Sequence, residues 1–130
     1  MSAEPPVLDA SAALAYLRRE EGFAVVREAL SEGVVISTVN LAEVHSTVTD
    51  RVIDAAAALA RMTAMGMQVV PFEEQDARLV GELRPQTRAL GLSLADRACL
   101  ALGLRLGRPV LATDRTLAGA DVGVDVVLIR

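Results

Sequence analysis

The sequence predicts an α/β fold with a central, mainly parallel sheet, and three observations carry that reading. Short aliphatic runs alternate with longer helical stretches, the order expected of βαβ units. The runs are unbroken Val, Leu and Ile without polar alternation, as in strands covered on both faces. Ala, Leu, Val and Ile supply 60 of the 130 residues and aromatics only 2%, so the core is aliphatic. A chain of this length can bury a core of its own. No repeat or linker divides it, and residues 1–130 are read as one domain.

Taken in order, the first strand is Val7–Leu8, followed by helices over Ala10–Glu21 and Ala24–Glu32 that break near Gly22. Val34–Ile36 is the second strand. Leu41–Met65 then carries a helical pattern that can divide around Thr49–Asp50. Met67–Val70 is the third strand, and Glu73–Leu83 a helix stopped by Pro85. Leu94–Leu106 is the last long helix, ended by Gly107 and Pro109. Val110–Ala112 and Val124–Ile129 complete the strands.

Composition removes several classes of function. All 13 basic residues are Arg, so chemistry that needs a lysine ammonium is excluded: P-loop hydrolysis, Schiff bases, kinase transfer. One His and one Cys cannot build a His/Cys zinc site. There is no Gly-x-Gly dinucleotide fingerprint. A net charge of −4 argues against a generic basic binder of nucleic acid. No apolar run approaches the ~18 residues of a membrane span. The start of the chain lacks the pattern of a signal peptide, and the lone Cys99 fits a reducing compartment. A soluble, cytoplasmic protein is the expectation.

The acids fall at telling places. Asp9 follows the first strand, Glu43 lies about a turn into the helix after the second, Asp96 opens a helix, and Asp114 follows the fourth strand. In a parallel sheet, strand ends and helix starts share one edge, so all four converge where open α/β folds place ligands. Each alone also suits helix capping: Asp9 and Asp114 as N-caps, Ser93-x-x-Asp96 and Asn40-x-x-Glu43 as capping boxes. Capping does not require four acids on one edge. Clustered carboxylates repel unless a divalent cation neutralises them, and a set made only of oxygens selects Mg²⁺ or Mn²⁺. Such a site suits phosphate chemistry. Receiver domains and haloacid-dehalogenase-like phosphatases would need a lysine, which is absent. Gly91-Leu92-Ser93-Leu94-Ala95 has the outline of a nucleophile elbow, but the only His precedes the Ser.

Four motifs in order, Asp9-Ala10-Ser11-Ala12, Asn40-Leu41-Ala42-Glu43-Val44, Gly91-Leu92-Ser93-Leu94-Ala95-Asp96 and Ala112-Thr113-Asp114, cover nearly the whole chain. In these the sequence resembles the PIN-domain ribonucleases, and most closely the VapC-type toxins of toxin–antitoxin pairs. The resemblance implies a three-layer α/β/α PIN-like domain and an acidic quartet of Asp9, Glu43, Asp96 and Asp114 around Mg²⁺ or Mn²⁺. It sets Ser11 and Thr113 beside the metal site. It further implies a metal-dependent endoribonuclease, a cognate antitoxin and a homodimer. Arg97 and Arg115 each follow a site acid and are candidates for contact with RNA phosphates. Leu117 departs from the aromatic that many relatives carry three residues after the last Asp, which bears on local packing or substrate contact. The apolar stretch Val52–Met67 offers surface for partners, with core packing the simpler explanation. His45 reads as a surface residue and Cys99 as a buried small hydrophobe. The alternatives are a PIN nuclease of RNA processing without an antitoxin, and a catalytically idle PIN-like binding module.

Overall fold

Five parallel strands in the order β3-β2-β1-β4-β5 form the centre of the molecule. The structure is a computed structural model and describes residues 4–49 and 54–130. The elements are β1 (Val7–Leu8), α1 (Ala10–Leu17), α2 (Phe23–Glu32), β2 (Val34–Ser37), α3 (Thr38–Thr49), α4 (Ala55–Met65) and β3 (Met67–Val70). They continue with α5 (Glu74–Thr87), α6 (Leu94–Leu106), β4 (Val110–Ala112), α7 (Arg115–Ala118) and β5 (Val126–Leu128).

Strand side chains alternate between faces, and each face has its own core. Leu8, Val34, Ile36 and Leu111 pack with Ala12, Ala15, Val26, Leu30, Val44, Leu59 and Met62 from α1 to α4. Val7, Val35, Val110 and Ala112 face the other way, onto Val80 and Leu83 of α5, Leu100 of α6 and Leu117 of α7. The result is three layers, α/β/α, as expected. Leu117 therefore fills core volume and is 0% exposed.

Several boundaries differ from the sequence reading, each for a physical reason. The first helix stops at Leu17, because Arg19 takes a left-handed φ of 54° and closes the turn before Gly22. α3 begins at Thr38, three residues earlier than expected. β2 runs straight into it, and Ser37 Oγ accepts from the Val39 amide at 3.1 Å. Asn40 and Glu43 are therefore inside the helix and form no capping box. Of the break expected near Thr49–Asp50, α3 ends at Thr49, and Asp50 lies outside the described residues, as do Val52 and Ile53 of the apolar stretch. In the rest of that stretch Leu59 and Met62 are core, and Met65 is exposed.

Pro85 does not stop α5, which runs on to Thr87. Gly81 and Pro85 both face solvent, so water can satisfy the carbonyl that loses its partner. Buried Leu83 and Thr87 hold the last turn, with Thr87 Oγ donating to the Leu83 carbonyl at 2.8 Å. The single turn of α7, too short to leave a periodic signal, was not expected. β5 is shorter than Val124–Ile129, although the Ile129 amide still reaches the Ala112 carbonyl at 3.0 Å. Arg105 of α6 grips buried Asp76 of α5 through two bonds, 2.6 and 3.2 Å, and fixes the α5–α6 pair. Among the described residues no helix is long and apolar enough to cross a membrane.

Gly66 ends α4 with a φ of 140°, and a Cβ there would collide with the Leu30 carbonyl. Gly107 also has a positive φ, 66°, but a Cβ there meets open space. Gly107→Ala should therefore cost about 1 kcal/mol, the left-handed penalty alone. Gly66→Ala should cost clearly more, roughly 2–3 kcal/mol, since backbone must also move. Thermal unfolding of both variants checks this, and equal midpoints would refute the collision.

Candidate acidic site

Three of the four predicted acids meet at the C-terminal edge of the sheet. Asp9 ends β1, the central strand, and caps α1. It is 4% exposed, and its Oδ2 accepts from the Ser11 hydroxyl at 2.6 Å and the Ser11 amide at 3.2 Å. Ser11 Oγ in turn accepts from the Thr113 amide at 3.0 Å, so one hydroxyl joins the ends of β1 and β4. Ser11 thus bonds Asp9 directly, and Thr113 reaches it through Ser11.

Asp96 sits in the first turn of α6 and does cap it. Ser93 Oγ accepts from the Asp96 amide at 3.1 Å, and Asp96 Oδ2 accepts from the Ser93 amide at 2.9 Å. Glu43 comes from α3, behind β2. The electrostatics show that these three feel one another. Burial pushes the Asp9 carboxyl above the usual carboxylate range; its bonds to Ser11 and Cys99 oppose this, and the Asp96 charge adds to it. Glu43 is exposed as a residue, yet its carboxyl is partly desolvated and is also pushed up, first by that desolvation and then by Asp9 and Asp96.

Asp114 follows β4, the strand that pairs with β1. It is half-buried beyond β4, and its Oδ1 caps α7 by accepting from the Thr116 amide at 2.8 Å and the Leu117 amide at 3.4 Å. The N-cap reading is therefore correct for Asp114, as it is for Asp9. Capping uses one oxygen of each carboxylate and leaves the other. Among the described residues no three His, Cys, Asp or Glu side chains are already drawn into metal-ligand positions.

The two arginines part company. Arg97 is 7% exposed and donates from Nη1 to the Val80 carbonyl at 2.9 Å, which ties α6 to α5 instead of standing over the acids. Arg115 is exposed at the start of α7, next to Asp114. Two further residues belong to the neighbourhood. Cys99 is fully buried beside Asp9 and donates to the Asp96 carbonyl at 3.0 Å; burial first, then the nearby acids, keep its thiol protonated. Asn40, also fully buried, donates from Nδ2 to the Ala95 carbonyl at 3.0 Å. Spacing gave the available hints: Cys99 is three residues after Asp96, and Asn40 three before Glu43, both one helical turn. A cavity of about 510 Å³, lined by Pro6, Val25, Ala29 and Pro109, lies instead where β1 and β4 begin.

Because folding raises the Asp9 carboxyl above its ordinary value near 3.8, the folded chain binds that proton more tightly than the unfolded chain. Its contribution to stability is thus present at low pH and lost as pH rises through the raised value. Asp9→Asn keeps an N-cap and removes the buried charge. Metal-free Asp9→Asn is expected to melt above the wild type at pH 7, with the gap narrowing as pH falls toward 4. Calorimetry in EDTA reads this, and a variant that melts lower at pH 7 would contradict it.

Comparison with known proteins bears on the family and the fold. The family model described as PIN domain matches residues 7–122. No curated protein matches the chain. Among solved structures, the fold is similar to a chain of VapBC2 from Rickettsia felis bound to promoter DNA, with a TM-score of 0.77 and 13% identity; 94% of this chain and 96% of that chain are covered. It is also similar to DNA-bound VapBC from Salmonella typhimurium, with a TM-score of 0.75 and 15% identity over 97% of this chain and 98% of that one. VapBC-5 from Mycobacterium tuberculosis, described as a toxin–antitoxin system, gives a TM-score of 0.66 and 25% identity over 98% and 99%.

Proposed function

This chain belongs to the PIN-domain family, and on that premise we propose that it is a Mg²⁺- or Mn²⁺-dependent endoribonuclease acting as the toxin of a toxin–antitoxin pair. The observation that carries the reading is the buried Asp9 carboxyl at the end of the central strand, pushed up first by burial and further by the Asp96 charge, with Glu43 pushed up first by its own desolvation and then by the charges of Asp9 and Asp96. A fold gains nothing from desolvating carboxylates against one another; a hard dication turns that cost into affinity. The donor set fits such an ion. The ligands on offer are carboxylate oxygens, and the Cys99 thiol is buried and protonated, so it supplies no soft ligand.

Asp9, Glu43 and Asp96 would hold the ion, and Asp114 would complete the set through the oxygen that α7 does not use. Bound there, the ion would polarise the scissile phosphate and lower the pKa of an attacking water. The chain's own residues prepare the site. Ser11 fixes one oxygen of Asp9, the Ser93 amide fixes one oxygen of Asp96, and the Thr113 amide holds Ser11 in place. Exposed Arg115 is placed to meet an RNA phosphate. With a net charge of −4 the bare edge repels RNA, so the cation is also what admits the substrate.

The toxin–antitoxin complexes among the structural neighbours support a cognate antitoxin as partner, and a homodimer belongs to the same reading. RNA processing without an antitoxin remains the competing assignment within the enzyme class. Expression of the chain alone should arrest growth, and co-expression of its antitoxin should restore it. Growth unaffected by the folded protein would favour the competing assignment.

The chemistry has its own test. Asp96→Asn preserves size and capping but removes one negative ligand. RNA cleavage should fall at least about a hundred-fold, roughly 2.7 kcal/mol of lost transition-state stabilisation, while the thermal midpoint stays near wild type. The wild type should be silenced by EDTA and leave 5′-phosphate and 3′-hydroxyl ends. EDTA-resistant cleavage that leaves cyclic phosphates would overturn the metal mechanism.

A further inference from the structure

Asn40 holds a buried atom that neither the fold nor the reaction described above accounts for. The residue is 0% exposed in the first turn of α3, one helical turn before Glu43, so both project from the same helix face. Ser37 performs the capping of α3, which removes that role from Asn40. Its Nδ2 donates to the carbonyl of Ala95, the residue before Asp96 in the first turn of α6. Oδ1, by contrast, is buried without a donor. Turning the amide over would set Oδ1 against the Ala95 carbonyl, acceptor facing acceptor, so the orientation is fixed.

A buried acceptor left unpaired costs stability that an apolar side chain of similar size would not. A purely structural bridge between α3 and α6 does not require that atom. A site that gains a hydrated cation does, because the hydration shell supplies the missing donors. We infer that Asn40 is a positioning residue of the acidic centre: its amide nitrogen ties α3, which carries Glu43, to the first turn of α6, which carries Asp96, and its amide oxygen receives the hydrated divalent cation. This rests on the reading of the acids as a metal centre.

The test is titration calorimetry of Mn²⁺ into the wild type, Asn40→Ala and Asn40→Asp, with thermal midpoints in EDTA and in saturating Mn²⁺. Asn40→Ala should bind Mn²⁺ about ten-fold or more weakly, the usual effect of losing a residue that orients metal ligands. Its midpoint should rise less on adding Mn²⁺ than that of the wild type. Asn40→Asp should lose stability in EDTA, where a further carboxylate joins Asp9, Glu43 and Asp96, and regain it in Mn²⁺ with a larger rise than the wild type. A folded Asn40→Ala protein with wild-type Mn²⁺ affinity and only a lower midpoint in EDTA would overturn the inference and leave the metal centre standing. If Asn40→Ala does not fold, an Asn40→Asp midpoint that rises no more than wild type overturns it instead. A wild type that binds no Mn²⁺ would overturn the metal reading itself, and the inference with it.

Discussion

A carboxylate held where water is scarce organises this molecule. Asp9 ends the central strand, is 4% exposed, and has strands on both sides of it. A negative charge in that position must be met by donors, and the surrounding chain supplies them. The Ser11 hydroxyl and amide both point their hydrogens at it, and the Cys99 thiol lies beside it. The Thr113 amide, from the far end of the sequence, holds Ser11 in register. Each of these contacts lowers the cost of the charge, and none cancels it.

The sheet order explains why the charge sits there. The chain lays β1, β2 and β3 outward in one direction, then crosses to place β4 and β5 on the other side. The winding direction reverses between β1 and β4, the place where open parallel sheets bind ligands. Asp9 lies there. Glu43 enters on α3 from one flank, Asp96 on the first turn of α6, and Asp114 from the loop after β4. A single change of winding direction gathers residues that are about a hundred positions apart in sequence.

Much of this was legible from residue types alone. Strand cores announced themselves as unbroken aliphatic runs, since burial on both faces leaves no polar alternation to confuse them. Asp9, Glu43, Asp96 and Asp114 could be placed at one edge because parallel strands put every strand end on the same side. What stayed hidden depends on packing. The continuation of α5 through Pro85 turns on which side of the helix meets water, and periodicity does not report that. α7 is one turn long, less than a period. Arg97 is a candidate for phosphate contact in the sequence because it follows Asp96; one step along a helix turns a side chain by ~100°, and that step carries it into the α5–α6 interface. Asn40 escaped because an Asn ahead of a Glu is indistinguishable from a cap until the helix start is known.

The bond between Ser11 and Thr113 spans 102 positions, and the backbone bond from Asp9 to Leu111 spans a comparable stretch. As a chain emerges from the ribosome, its first hundred residues can form the β1–β2–β3 side of the sheet, but the central strand then lacks a neighbour. Until β4 arrives, β1 has a neighbouring strand on one side only. Parallel pairing across so long a separation is entropically slow. The edge that carries Asp9 is therefore completed only when β4 has joined β1, long after β1 itself has been made.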